Sequence, residues 1–422
     1  MMMKLLPSSL KGSAAAPASK SEAHRRMICA GLTRGETTLK GFMTSADMAA
    51  TAGCLRSLGT DLSLQGDVLT LRGFARKAAL CPVYDCGESG STLRFFVPIA
   101  LSLTGGGIFR MHGRLGQRPM DVYRQLFVPR GVLWHMGEGA DGSAELRVAG
   151  HITPGQFVLP GDVSSQFVSG LLFALPLLEG DSRLTVRPPV ESAGYIRMTV
   201  RALRDSGIII EETSPFSWRI PGGQQYRSPN SHLHGDWSQA AVLLCAGALG
   251  QDVTVTGIST DTVQGDVAVL KHLTALGARV EQAENGIRVV PGELHGAVLD
   301  MHDCPDIAPI LALVCQLVPG ESRLTGCGRL RLKECDRLTA TREVLNALGG
   351  DCREEGDELV IRGVQRLHGG ELKHYNDHRM VMLASVAALC SDGPVVISDP
   401  EALAKSWPEY LNVYRGLGGL TE

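Results

Sequence analysis

The sequence predicts an α/β protein of two domains, each built from three repeated α/β units with buried helices surrounded by sheets. The first observation behind this prediction is a helix-like stretch that ends in a glycine six times, with successive glycines 72, 76, 70, 72 and 69 residues apart. A repeat of such constant length indicates a fold made of repeated units, so it is interpreted before any single helix or strand. The second observation is one apolar segment in each unit. The glycines are Gly59, Gly131, Gly207, Gly277, Gly349 and Gly418.

Each of these glycines is expected to end a helix. Glycine adopts the positive φ that the residue after a helix often needs, because it lacks a Cβ atom. A short stretch of apolar and polar residues follows the glycine in most units, which predicts a strand. Examples are Val68–Leu71, Ile287–Val290 and Leu359–Arg362.

The apolar segments predict six buried helices. Most of them are apolar on nearly every face, a pattern typical of a helix enclosed by protein. None reaches the roughly 18 residues expected of a membrane span. Each begins with polar residues, so free N–H groups at the helix start are directed outward, where they favour anions. The predicted helices are Ser21–Ala30, Ser91–Leu103, Ser165–Leu178, Trp237–Leu249, Ile307–Val318 and Asp377–Cys390.

Six units in 422 residues suit two lobes of three units each. The last helix, at Pro408–Leu417, has no strand pair predicted after it, so a strand at Lys4–Leu10 is expected to complete the C-terminal lobe. We therefore predict an N-terminal lobe at residues 19–232, and a C-terminal lobe formed by residues 1–18 and 233–422.

The chain would pass twice from one lobe to the other. Loops are predicted for these crossings at Gly12–Ser19, which is rich in Ala, Ser and Pro, and at Gly222–His232. Two crossings make a double hinge, and the cleft between the lobes is the expected ligand site.

The composition favours a soluble, cytoplasmic protein that binds neither nucleic acid nor membranes, and a monomer is expected. Apolar residues make up 44% of the chain, and the net charge of −3 argues against general nucleic-acid binding. The first six residues carry one lysine and too short an apolar run for a secretory signal. The eleven cysteines include no CxxC pair, so reduced thiols are expected rather than a disulfide framework or a zinc site. No metal or other cofactor is predicted.

Positive side chains cluster at the predicted helix starts and strand-to-helix loops. Because the net charge is nearly neutral, this clustering is local. Arginine forks and lysine ammonium groups suit a small molecule that carries phosphate and carboxylate. Neither a GxxxxGK[ST] loop nor a GxGxxG motif is present, so a nucleotide is not the expected anion. The cations are Lys20, Arg25, Arg118, Lys333, Arg337, Arg379 and Lys405.

Nine short motifs, in order along nearly the whole chain, resemble those of the EPSP synthase family of enolpyruvyl transferases. That family has two domains of three α/β repeats, with the N-terminal strand in the C-terminal domain, as the repeat pattern also predicts here. The motifs are Lys20-Ser21 with Arg25, Gly87–Arg94, Gln117–Pro119, Asp162–Phe167, Ser192 with Tyr195, Pro305-Asp306, Leu332–Leu338, Tyr375–Met380 and Asp399–Pro408.

The resemblance implies transfer of the enolpyruvyl group of phosphoenolpyruvate to the 5-hydroxyl of shikimate 3-phosphate, with release of phosphate. This step belongs to the shikimate pathway, which leads to chorismate and the aromatic amino acids, and glyphosate targets it. The chemistry is addition followed by elimination and needs no metal or redox cofactor. It does need a base for the hydroxyl and an acid for the methylene carbon.

The resemblance also implies a role for each site residue. Asp306 is the expected proton acceptor, Glu334 is a candidate proton donor or relay, and Lys20 contacts both substrates. The residues expected to bind shikimate 3-phosphate are Lys20, Ser21, Arg25, Ser164, Ser165, Gln166, Ser192, Tyr195, Asp306 and Lys333. Those expected to bind phosphoenolpyruvate are Lys20, Gly90, Arg118, Gln166, Arg337, Arg379 and Lys405.

Some interpretations stay open at this point. Asp306 could cap its helix instead of acting as a base, and Ser164 could be a cap rather than a ligand. Glu88 stands where many relatives have asparagine, and Arg329 where some use asparagine to contact shikimate 3-phosphate, so finer substrate contacts are unsettled.

Two alternative functions fit the sequence less well. The sister enzyme that acts on UDP-N-acetylglucosamine has a reactive cysteine before its Arg-Pro pair, whereas the corresponding loop His112–Arg118 has none. A DNA-encircling clamp would need basic inner helices, and the candidate helices here are apolar.

Overall fold

A computed structural model describes residues 2–75 and 77–422 of the chain. Within these residues, helices alternate with four-stranded sheets, which confirms the predicted α/β class. The α-helices are α1 (Lys20–Gly31), α2 (Ala46–Ser57), α3 (Gly90–Leu103), α4 (Asp121–Phe127), α5 (Ser165–Ala174), α6 (Ala193–Asp205), α7 (Trp237–Ala248), α8 (Val269–Ala275), α9 (Ala308–Leu317), α10 (Arg337–Ala347), α11 (His378–Leu389) and α12 (Tyr410–Gly416).

The strands are mostly short. In chain order they are β1 (Met3–Leu6), β2 (Lys11–Ala15), β3 (Gly35–Lys40), β4 (Asp61–Gln65), β5 (Val68–Gly73), β6 (Val83–Asp85), β7 (Gly106–Met111), β8 (Leu133–Glu138), β9 (Ala144–Ala149), β10 (Gln156–Pro160), β11 (Ser182–Arg187), β12 (Glu211–Ser214), β13 (Ser217–Ile220), β14 (Ser231–His232), β15 (Asp252–Thr256), β16 (Arg279–Ala283), β17 (Gly286–Val290), β18 (Val298–Asp300), β19 (Glu321–Thr325), β20 (Asp351–Glu355), β21 (Glu358–Arg362), β22 (Gly370–Glu371), β23 (Val395–Ile397) and β24 (Leu420–Thr421).

The six predicted buried helices are confirmed as α1, α3, α5, α7, α9 and α11, whose residues are almost all enclosed. The prediction was too long for α5, which ends at Ala174 and continues as the 3-10 turn Leu175–Leu177. Pro176 explains the change, because proline has no N–H for a helical hydrogen bond and its ring crowds the preceding turn.

The six repeating glycines all have positive φ, between 76° and 109°. Five of them directly follow the C-cap residue of an α-helix, namely α2, α6, α8, α10 or α12, and Gly131 follows the 3-10 turn Val128–Arg130. The predicted helix ends are therefore confirmed. The strands predicted from the alternating stretches are β5, β17 and β21.

The chain folds into two compact units. We call Ala18–Leu233 the N-terminal lobe and Met1–Pro17 with His234–Glu422 the C-terminal lobe. The N-terminal lobe holds three sheets, with strand orders β14-β3-β5-β4, β6-β7-β9-β8 and β10-β11-β13-β12. The C-terminal lobe holds three more, with orders β16-β17-β15-β2, β18-β19-β21-β20 and β22-β23-β1-β24.

Each sheet has the same construction. One parallel pair lies at an edge, such as β6 with β7, and the other neighbours are antiparallel. The buried helix of each repeat begins shortly after the parallel edge strand, as α3 follows β6. The repeat therefore places equivalent helix starts at equivalent positions, as the sequence period predicts.

The N-terminal segment contributes two strands to the C-terminal lobe. Strand β1 pairs antiparallel with β23 and β24, and β2 pairs parallel with β15. The predicted loop at Gly12–Ser19 is therefore wrong for residues 12–15, since pairing with the edge of β15 outweighs the Ala- and Ser-rich composition. No strand pair follows α12, as expected, but the single short strand β24 does, and it pairs with β1.

Helices that could cross a membrane are not found in the described part of the chain: none is both long and apolar enough.

Candidate active site

The predicted site residues lie at the starts of helices in both lobes. Lys20, Gly90 and Ser165 are the first residues of α1, α3 and α5, and Arg337 is the first residue of α10. Arg379 is the second residue of α11.

Helix α1 presents Lys20 and Ser21 after its N-cap, Ser19, whose hydroxyl accepts a hydrogen bond from the Glu22 N–H. The ammonium group of Lys20 lies 3.0 Å from the Asp47 carboxylate, and both side chains are largely enclosed. Asp47 thus holds the Lys20 side chain without burying it completely.

Arg25 is buried on the same helix and is held by uncharged groups. Its Nη1 donates to the Ser21 carbonyl at 2.7 Å, its Nη2 to the Tyr195 carbonyl at 3.0 Å, and its Nε to the Thr199 hydroxyl at 2.8 Å. Its guanidinium also lies over the Tyr195 ring, 5.9 Å from the centroid. Burial lowers the pKa of Arg25 to about 10, which still leaves the group charged at neutral pH. A buried cation that has no carboxylate partner among the described residues favours binding of an anion.

The start of α3 is shaped around Arg118. Ser89 caps this helix by accepting a hydrogen bond from the Thr92 N–H. Gly90 follows, and a Cβ atom built on it would lie 2.6 Å from Nη1 of Arg118. Arg118 itself directly follows the 3-10 turn Gly113–Gln117. The absence of a side chain at Gly90 therefore provides the space that the guanidinium occupies.

The loop before α3 also contacts the beginning of that turn. A Cβ atom on Gly113 would lie 2.7 Å from the Glu88 carboxylate, and the His112 N–H donates to the Gly87 carbonyl at 2.8 Å. Glu88, the residue that departs from the family pattern, therefore packs against the turn that leads to Arg118.

Helix α5 positions Gln166 by hydrogen bonds at both ends of its amide. The amide oxygen accepts from Arg94 Nη1 at 2.5 Å, and Nε2 donates to the Ser91 hydroxyl at 2.9 Å. Ser164 is the N-cap, and its hydroxyl accepts from the Gln166 N–H. Ser164 is therefore a cap, and its hydroxyl proton can still be donated to a ligand.

Ser192 and Tyr195 lie at the start of α6. Ser192 is fully buried and has a left-handed backbone conformation, with φ of 52° and ψ of 42°. Such a conformation is uncommon for a residue with a Cβ atom and is concentrated at functional sites. Tyr195 contributes its carbonyl and its ring to the surroundings of Arg25.

A buried chain of hydrogen bonds connects α1 with the start of α3. His24 Nδ1 lies 2.7 Å from the Thr51 hydroxyl, which lies 2.8 Å from that of Thr92, and Thr92 donates to the Ser89 hydroxyl at 2.8 Å. Because Thr92 donates to Ser89, Thr51 must donate to Thr92, and His24 must donate from Nδ1. Burial lowers the pKa of His24 well below its usual range, which agrees with this neutral tautomer.

Arg337 is the centre of an ionic network in the C-terminal lobe. Its Nη1 donates to Asp306 Oδ1 at 2.8 Å, and its Nη2 lies 2.7 Å from the Glu334 carboxylate. Nε and Nη2 bind both oxygens of Asp377, at 2.8 and 3.2 Å. Lys333 donates to Asp306 Oδ1 at 2.8 Å. Three guanidinium N–H groups of Arg337 therefore donate hydrogen bonds to carboxylates, and Glu334 adds an ion pair.

The electrostatics of this network keep Asp306 ionised. Burial alone would raise the pKa of Asp306, but the neighbouring cations, above all Lys333 and Arg337, outweigh burial and hold that pKa well below its usual range. Burial by itself would lower the pKa of Arg337, but the carboxylates raise it well above its ordinary value. Burial lowers the pKa of Lys333, and Asp306 offsets part of that effect.

Arg379 and Lys405 are held mainly by backbone oxygens and hydroxyls. Arg379 donates to the carbonyl and the hydroxyl of Ser238, each at 2.6 Å, and its backbone N–H is capped by Asp377 at 2.8 Å. Lys405 ends the 3-10 turn Pro400–Lys405, and its ammonium donates to the Asn376 carbonyl at 2.8 Å. Both side chains are buried.

The structure identifies several supporting residues to which the sequence alone assigned no role. Asp47 binds Lys20, Arg94 and Ser91 orient Gln166, and Asp377 binds Arg337. These partners are 27 to 75 positions apart in the chain, so no local pattern pairs them. The available signal was a charged residue within an otherwise apolar helix, as for Arg94.

The comparisons with known proteins agree over the full chain. The sequence pattern of the family described as EPSP synthase (3-phosphoshikimate 1-carboxyvinyltransferase) matches residues 6–414. A Clostridium perfringens protein described as 3-phosphoshikimate 1-carboxyvinyltransferase is 39% identical over 418 residues, which cover 99% of this chain and 98% of that protein. A Clostridium botulinum protein with the same description is 38% identical over 423 residues, covering 99% of this chain and 97% of that protein.

The fold leads to the same family. The structure of EPSP synthase from Acinetobacter baumannii superposes with a TM-score of 0.82 at 25% identity, covering all of this chain and 99% of that one. The family pattern spans nearly the whole length, and the relatives match end to end. This chain therefore belongs to the EPSP synthase family.

Proposed function

We propose that the protein transfers the 1-carboxyvinyl group of phosphoenolpyruvate to the 5-hydroxyl of shikimate 3-phosphate, giving 5-enolpyruvylshikimate 3-phosphate and phosphate. The observation that carries this function is the end-to-end match with the family, at 36% to 39% identity with relatives that bear the enzyme's description. The step belongs to the shikimate pathway, which supplies the aromatic amino acids.

The N-terminal lobe is proposed to bind shikimate 3-phosphate through the starts of α1, α5 and α6. Arg25 would supply the charge for the phosphate, because it is buried and its hydrogen bonds go to neutral groups. Hydroxyl donors would complete the phosphate contacts, and the Tyr195 ring would pack against the sugar-like ring. The hydroxyl donors are Ser21, Ser164, Ser165 and Ser192, with Gln166 beside them.

Phosphoenolpyruvate is proposed to bind the remaining cations. Arg118 and the free N–H groups at Gly90 would serve from α3 and its neighbouring turn. Arg337, Arg379 and Lys405 would serve from the C-terminal lobe. Lys20, held by Asp47, is proposed to contact both substrates, and Gln166 is proposed to assist with phosphoenolpyruvate as well.

The proton transfers are assigned to the carboxylates of the Arg337 network. Asp306 is the proposed acceptor of the hydroxyl proton, and Lys333 lies beside it for contact with shikimate 3-phosphate. In the ligand-free protein, Asp306 is a weak base because cations surround it, which holds its pKa low. Binding of an anion by those cations would offset their charge and raise the pKa of Asp306. Asp306 would then become a stronger base only when phosphoenolpyruvate is present.

Glu334 is the proposed donor or relay for the proton that reaches the methylene carbon. Its carboxylate contacts Arg337 at 2.7 Å, so it shares a cation with Asp306. When one of two carboxylates that share a cation is protonated, the cation interacts more strongly with the carboxylate that stays ionised. This coupling suits the two groups to opposite roles, one as proton acceptor and the other as proton donor.

Three coarser features complete the proposal. The enzyme is proposed to act as a monomer, to be cytoplasmic, and to need no cofactor beyond its two substrates. The chemistry agrees with the last point, because addition and elimination need only proton transfer and charge neutralisation.

Phosphate release from phosphoenolpyruvate tests the function directly. We expect release that depends on shikimate 3-phosphate, with formation of the enolpyruvyl product. Release that depends instead on UDP-N-acetylglucosamine would establish the sister activity. Release with neither acceptor would show hydrolysis and would contradict the proposed transfer.

A further inference from the structure

We infer that Asp399 is a positioning residue for phosphoenolpyruvate binding, acting through the backbone of Asn376 on Lys405. The inference rests on the proposed function only for the identity of the anion. The geometry that supports it lies entirely within the C-terminal lobe.

Asp399 is a buried carboxylate that binds backbone rather than a cation at close range. Its side chain is only 4% exposed, and exposed His374 has its Nδ1 3.8 Å from Oδ2. Oδ2 accepts the N–H of Tyr375 at 3.0 Å and the N–H of Asn376 at 2.5 Å. Two successive N–H groups that converge on one anionic oxygen form a strong and directional contact. Asp399 therefore fixes the orientation of the peptide groups at Tyr375 and Asn376.

The backbone of Asn376 has a left-handed conformation. Its φ is 51°, in the region that asparagine adopts more readily than most residues with a Cβ atom. In this conformation its carbonyl accepts the Lys405 ammonium at 2.8 Å, and Lys405 is itself buried. Asp399 thus anchors the N–H of the residue whose carbonyl accepts the Lys405 ammonium.

The next residue extends the effect to two arginines. Asp377 binds Arg337 through both carboxylate oxygens and caps the backbone N–H of Arg379. The dipeptide Asn376-Asp377 therefore contacts all three cations that the C-terminal lobe offers to phosphoenolpyruvate. Asp399 holds the N-terminal side of this dipeptide, so we expect its loss to affect Lys405 first.

The test compares Asp399→Ala and Asp399→Asn with the surface variant Asp392→Asn. Asp392 pairs with exposed His368 and Arg366 and lies outside the proposed site. We expect Asp399→Ala to raise the KM for phosphoenolpyruvate by about tenfold or more, the range for losing hydrogen bonds to a buried charged group. The KM for shikimate 3-phosphate should change less than about twofold. Asp399→Asn retains an oxygen acceptor and should recover part of the loss, and Asp392→Asn should match the parent.

A double-mutant cycle with Lys405→Ala tests the route of action. If Asp399 acts through Lys405, Asp399→Ala should cost much less in the Lys405→Ala background than in the parent. Additive losses would overturn the inference, and so would equal increases in both KM values. If Asp399→Ala does not fold, the same criteria apply to the cycle made with Asp399→Asn.

A measurement without turnover separates this inference from the proposed function. The parent should gain thermal stability on addition of phosphoenolpyruvate, and Asp399→Ala should gain much less. An inactive parent that still shows this difference would contradict the function but support the positioning role. An equal gain in both proteins would contradict the positioning role whether or not the parent is active.

Discussion

The α-carbon of Gly90 and the guanidinium of Arg118 occupy adjoining space, so that a Cβ atom on residue 90 would lie 2.6 Å from Nη1 and 2.9 Å from Cζ. The contact involves the far end of a flexible side chain, so a methyl group would displace Arg118 rather than the backbone. Gly90 thus leaves room for a cation that is proposed to bind phosphoenolpyruvate.

Gly90→Ala should therefore weaken binding at this site while leaving the fold intact. We expect the inhibition constant of glyphosate, a slightly longer mimic of phosphoenolpyruvate, to rise more than the KM of phosphoenolpyruvate. Steady-state kinetics with both ligands measure the two changes. Gly53→Ala is a matched control, because Gly53 lies on α2 with open space around its Cβ position and should only gain about 0.5–1 kcal/mol of stability.

Equal loss for both ligands would show that the methyl group acts only by displacing Arg118. No loss for either ligand would show that Arg118 does not bind them.

Asp306→Asn distinguishes a base from a helix cap. Asparagine can still accept a hydrogen bond, as a cap requires, but an amide cannot take the proton of the attacking hydroxyl. We expect the variant to fold, to bind shikimate 3-phosphate and to lose turnover by ~10²-fold or more. Thermal melting, ligand titration and steady-state rates on one preparation measure these three properties.

Turnover near the parent rate would show that Asp306 is not the base and would direct attention to Glu334 or Lys20. Early melting together with failure to bind would assign Asp306 a structural role instead.

The acid sensitivity of the fold should also depend on Asp306. Its pKa in the folded protein lies below the ordinary value of 3.8, so its contribution to stability is complete above that value and is lost as the pH falls through the lower, folded pKa. The free energy of unfolding of the parent should therefore fall more steeply than that of Asp306→Asn as the pH is lowered below about 4. Denaturant titrations across this range measure the slopes, and parallel slopes would contradict the depressed pKa.

Arg337→Lys should impair both stability and binding, because lysine cannot reproduce the paired contacts with Asp377. We expect kcat/KM for phosphoenolpyruvate to fall by about 10²-fold, since each hydrogen bond to a charged group contributes about 1.5–3 kcal/mol. Arg342→Lys is the control on the same helix, because Arg342 is partly exposed and binds surface glutamates. Similar effects of both variants would argue against a special role for Arg337.

Thr51→Val tests the buried hydrogen-bond chain. Valine has nearly the same shape as threonine but cannot bind His24 or Thr92, which would leave polar atoms buried without partners. We expect a loss of about 1–3 kcal/mol in the free energy of unfolding. Thr92→Val should cost a similar amount, and the double variant less than the sum, because both break one chain. Thr70→Val, on the half-buried strand β5, serves as the control, and an equal effect there would contradict the importance of the chain.

Much of the fold could be predicted because the repeat is encoded locally. Each repeating glycine indicates a helix end because glycine can adopt a positive φ. The helices that are apolar on nearly every face are predicted to be buried. The strand at Lys11–Ala15 was missed for the opposite reason: its composition resembles a loop, and only pairing with β15, some 240 positions away, makes it a strand.

The residues of the site also fall into two groups, those that could be predicted from the sequence and those that could not. Cations at helix starts could be identified from position and charge. Their orienting partners could not, since the pairing of Lys20 with Asp47 or of Arg337 with Asp377 is a property of three-dimensional packing. The proposed role of Asp399 was even harder to predict from the sequence, because its partners are backbone N–H groups, which every sequence contains.

The pairing of β1 with β23 and β24 has a consequence for synthesis on the ribosome. The N-terminal lobe is one continuous stretch, so all of its residues have been made when little more than half of the chain is complete. The strand at Met3–Leu6 is translated before both of its partners, so its hydrogen bonds form only after Val395–Ile397 and Leu420–Thr421 have been made. Domains tend to fold as they are completed, so a strand made before the whole N-terminal lobe would pair only after that lobe has folded.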